Sequence, residues 1–250
     1  MKDIVRRLGL FATTAAVVIA ACKGPAGPPL SGIWSGFLYL YDEYGAPLAS
    51  DSGITVRLQP GGDTSTSGPA GAYAFNTVTV GAYSLHYTGV GFGTYIMANQ
   101  QFVGGGTINI PGVNLGKQST GVITGFAMTP NAAGDTILAT GAITAPPSGV
   151  SRYVRLFYSA TGNVGASAGS WTVTGPVNGF PYAVSTASFT IAVTGQDLLA
   201  LRSAFGTGKT VNVIAYGESY YENSYPGQNG KPIFPNVSST PSKATTFVMP

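Results

Sequence analysis

The chain has 250 residues, of which only 8% are charged, so it lacks the basic field that holds nucleic acid and the dense charge that strongly ionic partners require. Its 36 glycines and 17 prolines stand among 44% apolar residues, which excludes a low-complexity chain and favours short strands joined by many turns. One histidine and one cysteine leave no possible disulfide and too few soft ligands for a zinc site. The first predicted element is an export signal over residues 1–21. Lys2, Arg6 and Arg7 precede an apolar run from Leu8 to Ala21, interrupted only by Thr13 and Thr14. That run is shorter than the roughly 20 residues a helix needs to span a bilayer, and small residues close it, as at a cleavage site. Residues 1–21 hold three of the twelve basic residues and one of the nine acidic ones. The remaining chain carries nine against eight and is close to neutral.

Ile19-Ala20-Ala21-Cys22 resembles the lipobox of bacterial lipoproteins. The resemblance implies that Cys22 is acylated and becomes the new N-terminus, with a membrane as its partner. Lys23 stands where enteric bacteria place the Asp that retains a lipoprotein at the inner membrane, which implies the outer membrane by that rule. Residues 22–32 read as a tether. Lys23-Gly24-Pro25-Ala26-Gly27-Pro28-Pro29 contains two Gly-X-Y triplets, too few for a triple helix, and reads as a stiff polyproline spacer.

Residues 33–117 alternate with period two. Strands are predicted at Phe37–Tyr41, Ile54–Leu58, Gly71–Phe75, Val78–Leu85, Thr107–Ile110 and Val113–Leu115, separated by turn-forming runs such as Pro60-Gly61-Gly62-Asp63. Such spacing predicts a β-sandwich. The run Asp42-x-x-Gly45-x-Pro47-Leu48, followed by Gly71-Ala72-Tyr73-Ala74-Phe75 and Val80-Gly81-Ala82-Tyr83-Ser84-Leu85, resembles a carboxypeptidase regulatory-like domain. That resemblance implies a prealbumin-type, seven-stranded sandwich without catalysis. A related pilin module forms a Lys–Asn crosslink, but here the first strand has no Lys and Tyr87 stands where the assisting Glu would be, so no crosslink is expected.

Residues 118–250 predict a second sandwich of immunoglobulin or fibronectin type, with strands at Gly121–Ala127, Thr136–Thr144, Tyr153–Tyr158, Ala187–Val193, Val211–Tyr216 and Ala244–Val248. One helix interrupts them at Gln196–Phe205. Its Leu198, Leu201 and Phe205 share a face, Thr194 or Gly195 would start it, and Gly206 would end it. The fold class expected is therefore all-β, two consecutive sandwiches after a signal peptide and tether.

Catalytic patterns fail on context. Gly165-Ala166-Ser167-Ala168-Gly169 has the G-x-S-x-G spacing but neither a strand before it nor a helix after it, and His86 lies upstream. Gly206-Thr207-Gly208-Lys209-Thr210 follows a helix and precedes a strand, the reverse of a phosphate loop. No catalytic residue, cofactor or metal site is assigned. Asp42, Glu43 and Asp51, and separately Glu218 and Glu222, could approach a hard cation, but the simpler expectation is solvated turns. His86 is expected to face outward from its strand. The one surplus is tyrosine. Tyr220, Tyr221 and Tyr225, beside Glu222, form the candidate ligand-binding cluster, since exposed tyrosines with nearby carboxylate and amide groups suit stacking on a sugar ring. The expectation is a non-catalytic binding or adhesion module. An accessory carbohydrate-binding lipoprotein of a glycan-uptake system and a structural subunit of a surface layer or filament stay open as alternatives.

Overall fold

The computed structural model describes residues 30–250 except 168, 178 and 228. The signal segment, Cys22 and the tether up to residue 29 lie outside the described residues. The first eight strands are β1 (Ser31–Tyr41), β2 (Thr55–Gln59), β3 (Thr64–Thr66), β4 (Ala72–Thr79), β5 (Gly81–Thr88), β6 (Tyr95–Phe102), β7 (Thr107–Asn109) and β8 (Val113–Gly116). One sheet runs β4-β1-β7, with β8 continuing beside the second half of β1, and the other runs β3-β2-β5-β6. Period-two alternation aims Trp34, Leu38 and Leu40 of β1 at Val56, Leu58, Leu85 and Tyr87 of the facing sheet, and these side chains form one buried cluster.

The run predicted as one strand from Val78 to Leu85 is two. Val78 is buried as part of β4, Val80 is exposed at the corner, and Gly81 opens β5 in the opposite sheet. A single strand could not bury both Val78 and Leu85 in opposing sheets. β3 and β6 were not expected: Thr64-Ser65-Thr66 is short and polar, and β6 is interrupted by Asn99 in the left-handed region (φ 57°).

The second sandwich comprises β9 (Ile123–Pro130), β10 (Ile137–Ile143), β11 (Arg152–Ser159), β12 (Val173–Gly175), β13 (Tyr182–Val184), β14 (Ser188–Val193), α1 (Gly195–Phe205), β15 (Thr210–Glu218), β16 (Tyr225–Pro226), β17 (Pro232–Ile233) and β18 (Thr245–Val248). Its sheets are β14-β10-β9 and β12-β11-β15-β18, with β13 also on β11, while β16 and β17 form a small ribbon. Ile137, Leu156, Val193 and Val213 meet in its core, and α1 adds Leu198 and Leu201 as its sequence pattern predicted. Gly206, at φ 80°, ends the helix by donating its N–H to the Arg202 carbonyl. Thr194 is the N-cap residue, but its side chain makes no capping bond.

β11 and β15 are buried on both faces. Val154, Leu156, Val213 and Ala215 point into the sandwich. Phe157 and Ile214 point the other way, under Trp171, Phe234 and Val237 from the flanking loops. This extra layer positions the candidate site. Among the described residues, no helix is long and apolar enough to cross a membrane.

Candidate ligand-binding cleft

The site starts from the outer face of β11 and β15. Their antiparallel register sets Arg155 opposite Tyr216 and Tyr153 opposite Glu218. Arg155 is only 2% exposed, and its guanidinium carbon lies 4.1 Å from the Phe234 ring centroid. Its Nε donates to Glu218 and its Nη2 to Glu222, so one buried cation holds two carboxylates. Glu218 is fully enclosed, and its Oε1 has no partner among the described residues. Burial pushes its carboxyl up to about 7, against the attraction of Arg155 and with the help of the like charge on Glu222. Glu222 is held from two sides, because its Oε1 also accepts a bond from Ser224 Oγ at 2.8 Å.

After β15 the chain turns onto the first sandwich. The Tyr220 N–H donates to the Glu43 carbonyl at 3.0 Å. Asn236 Nδ2 donates to the Tyr221 carbonyl at 2.6 Å and to Asn223 Oδ1 at 2.8 Å. Asn223, in the left-handed region at φ 48°, accepts from the Gly116 N–H at 2.9 Å and donates to the Asn114 carbonyl at 2.7 Å. Two glycines permit this approach. A Cβ at Gly45, where φ is also +92°, would stand 2.8 Å from Tyr220 Cδ1, and one at Gly116 would stand 2.9 Å from both Tyr221 Cβ and its carbonyl oxygen.

The result is a cleft of about 320 Å³ lined by Gly179, Phe180, Tyr220, Tyr221, Glu222 and Asn223. Phe180 is 68% exposed, and its ring lies 5.7 Å from that of Tyr220 at 34°. Tyr220 meets Tyr221 edge-on at 5.0 Å and Tyr153 at 5.6 Å. Tyr221 in turn lies against Tyr41 of β1, with ring centroids 4.3 Å apart. Burial, with the Tyr41 ring packed close by, raises the Tyr221 phenol above its ordinary value, so it remains a neutral hydroxyl at physiological pH. An apolar, aromatic wall with a few fixed polar groups is the common form of a small-molecule pocket.

The two sandwiches are joined below the cleft by Glu43. Its carboxylate accepts from the Thr120 N–H (2.7 Å) and hydroxyl (2.6 Å), from Ser119 Oγ (3.3 Å) and from Arg152 Nη1 (2.8 Å). Burial alone would raise its pKa, but the Thr120 bonds and the Arg152 charge outweigh burial and hold it below the usual value. The guanidinium of Arg152 also lies 5.2 Å from the Tyr44 ring centroid.

Of the four residues singled out by sequence, the structure brings Tyr220, Tyr221 and Glu222 together. Tyr225 is apart, on β16, with its ring edge-on to Tyr95 at 6.4 Å. Phe180 and Tyr41 were not anticipated. Phe180 lies about forty residues upstream in a loop with no periodic pattern, and Tyr41 was read only as part of a strand. The expectation of solvated carboxylates is corrected at Glu43, Glu218 and Glu222, each of which pairs with an arginine. Asp42 accepts the Tyr44 and Ala46 N–H groups within its own turn, and Asp51 accepts the Leu40 N–H. Among the described residues, no three His, Cys, Asp or Glu side chains gather as a metal site. His86 is half-buried on β5, on the face opposite buried Leu85 and Tyr87. Gly165–Ser167 lie in irregular chain, and Gly206–Lys209 connect α1 to β15.

No family model matches the chain, and no curated protein matches it. Among solved structures it resembles a DUF3823 family protein from Bacteroides uniformis (16% identity, 88% of this chain and 100% of that one, TM-score 0.30). It also resembles a second protein of that organism, described provisionally as carbohydrate-binding (16% identity, 86% and 98%, TM-score 0.29). A third is a cohesin–X-dockerin complex from Acetivibrio cellulolyticus (14% identity, TM-score 0.29), where the match takes in 34% of this chain and 56% of that one. At these scores the likenesses decide nothing about activity, and the sandwich assignment rests on the strand pairing described above.

Proposed function

We propose that this chain is a non-catalytic binding module, tethered to a membrane through a lipid on Cys22, that takes a glycan ring into the cleft walled by Phe180, Tyr220 and Tyr221. The observation that carries the reading is the wall of Phe180, Tyr220 and Tyr221, with Glu222 and Asn223 fixed at its edge. Aromatic faces bind the apolar C–H face of a sugar, while a locked carboxylate and amide orient hydroxyls without having to be ordered on binding. Glu222 is already held by Arg155 and Ser224, so it acts as an acceptor and not as a free acid or base.

A neutral-glycan array probed with wild type, Tyr220→Ala and Tyr225→Ala tests this. Wild type is retained, Tyr220→Ala loses about tenfold or more in affinity, the worth of one well-stacked ring, and Tyr225→Ala binds as wild type. No retention, or equal binding by wild type and Tyr220→Ala, overturns the glycan reading. The anchor is tested separately. Cys22→Ser expressed in a bacterium that processes lipoproteins moves the protein to the soluble fraction, and a variant that stays with the membrane overturns it.

A further inference from the structure

The outer face of the β4-β1-β7/β8 sheet carries an unusual stripe. Ile33, Phe37, Tyr39 and Tyr41 all lie on the side of β1 away from the core, since Trp34, Leu38 and Leu40 occupy the buried side. Phe37 is 50% exposed and Tyr39 48%. Their neighbours are small or neutral: register sets Phe37 beside Ala72, Tyr39 beside Asn114 and Tyr41 beside Gly116. The rings therefore stand above their surroundings. The stripe is one strand wide, about 5 Å, with flanking strands that offer methyl, amide and hydroxyl groups.

The stripe does not end at Tyr41. That ring lies 4.3 Å from Tyr221, which meets Tyr220 at 5.0 Å, so the aromatic line continues into the cleft. No residue of β1, β4, β7 or β8 is charged.

We infer that Phe37, Tyr39 and Tyr41 extend the cleft into a track for a linear, uncharged polysaccharide, with the cleft receiving one segment of the chain and β1 the next. This rests on the glycan reading of the cleft and specifies its ligand as a polymer. Width and neutrality choose this occupant. A globular partner needs roughly 800 Å² of its own surface with a broad apolar centre, which a single-strand stripe does not offer. An acidic or basic polymer would be met by opposite charge, and this sheet has none. Length follows from strand geometry: Phe37 and Tyr41 are four residues apart, about 13 Å, so a ligand confined to the cleft cannot touch Phe37.

The experiment is calorimetry with neutral gluco-, malto-, xylo- and manno-oligosaccharides, from disaccharide to hexasaccharide, on the full mature chain. The variants are wild type, Tyr220→Ala and the double variant Phe37→Ser/Tyr39→Ser, with thermal melts to show that each is folded. In at least one series, wild type gains about a hundredfold in affinity from disaccharide to hexasaccharide, the yield of two added stacked rings at about tenfold each. The double variant keeps the disaccharide affinity and loses the gain. Tyr220→Ala weakens every length. Disaccharide binding that needs Tyr220 but shows no length gain, or a gain that survives the double variant, overturns the track and leaves the cleft reading standing. No binding in any series overturns both. A wild type that is dimeric in the ultracentrifuge, with a monomeric double variant, places a second copy of the chain on the stripe and overturns the polysaccharide.

Discussion

Glu43→Ala is expected to be the most damaging change at any polar residue of the first sandwich. Its carboxylate is 13% exposed and its partner Arg152 6%, and Arg152 Nε already lacks a hydrogen-bond partner among the described residues. Truncation removes four bonds across the two sandwiches and leaves a buried guanidinium uncompensated. Breaking a buried pair from one side costs 3–5 kcal/mol, and the partial exposure of Glu43 places this case near the lower bound, about 3 kcal/mol. Arg152→Met costs less, about 1–2 kcal/mol, because Thr120 and Ser119 still satisfy the carboxylate. The double variant should cost at least about 1 kcal/mol less than the sum, since neither charge is then left alone. Urea unfolding followed by tryptophan fluorescence reads both sides, because Trp34 lies in the first core and Trp171 outside the second. Wild type should unfold in one transition and Glu43→Ala in two or in one shifted transition. A cost under about 1 kcal/mol that adds simply to that of Arg152→Met would show that the clamp does not hold the sandwiches together. The pH dependence has a defined sign. The Glu43 carboxyl is depressed in the folded state, so its contribution is present above about pH 4.5 and is lost as pH falls through the folded value.

Glu218 acts in the opposite sense: its folded value is raised to about 7, so the folded state binds the extra proton between about pH 4.5 and 7 and stability falls as pH rises through that window. Glu218→Gln should flatten this slope in a series of urea titrations, and a slope equal to that of wild type would refute the assignment. Gly116→Ala forces a Cβ to within 2.9 Å of Tyr221, which should cost about 1–3 kcal/mol and alter the near-ultraviolet circular dichroism of the tyrosine cluster. An unchanged spectrum and melting temperature would show that the loop accommodates the methyl group freely.

The sandwiches were legible where one face is wet and one is dry. Phe37–Tyr41, Ile54–Leu58 and Ala187–Val193 alternate cleanly; the last two became strands within one residue of their expected ends, and the first is the second half of β1, which starts six residues earlier at Ser31. Where both faces are covered, alternation disappears: in β11 and β15 the sequence marks a strand but not which side holds Arg155 and Glu218. Their pairing depends on a register set by distant residues. The tyrosine cluster was visible because Tyr220, Tyr221 and Glu222 adjoin in sequence. Phe180 was not, because its place beside Tyr220 arises only when the loop after β12 folds back over β15. Tyr225 looked equivalent to its neighbours, and only the β16–β17 ribbon turns it towards Tyr95. Glu43 resembled an ordinary turn carboxylate, since nothing local announces a partner 109 residues away.

Several of the few charges this chain possesses are turned inward. Arg152, Arg155 and Glu218 are buried, Lys231 donates to the Trp171 carbonyl, and Arg202 binds the carbonyls of Gly134 and Pro250. Counterions screen charges that face water over about 8–10 Å at moderate ionic strength, and reach enclosed pairs far less. With charged residues only 8% of the chain, the outer surface gives dissolved salt little to act upon. Unfolding midpoints should stay nearly constant from dilute buffer to brackish and marine salinity.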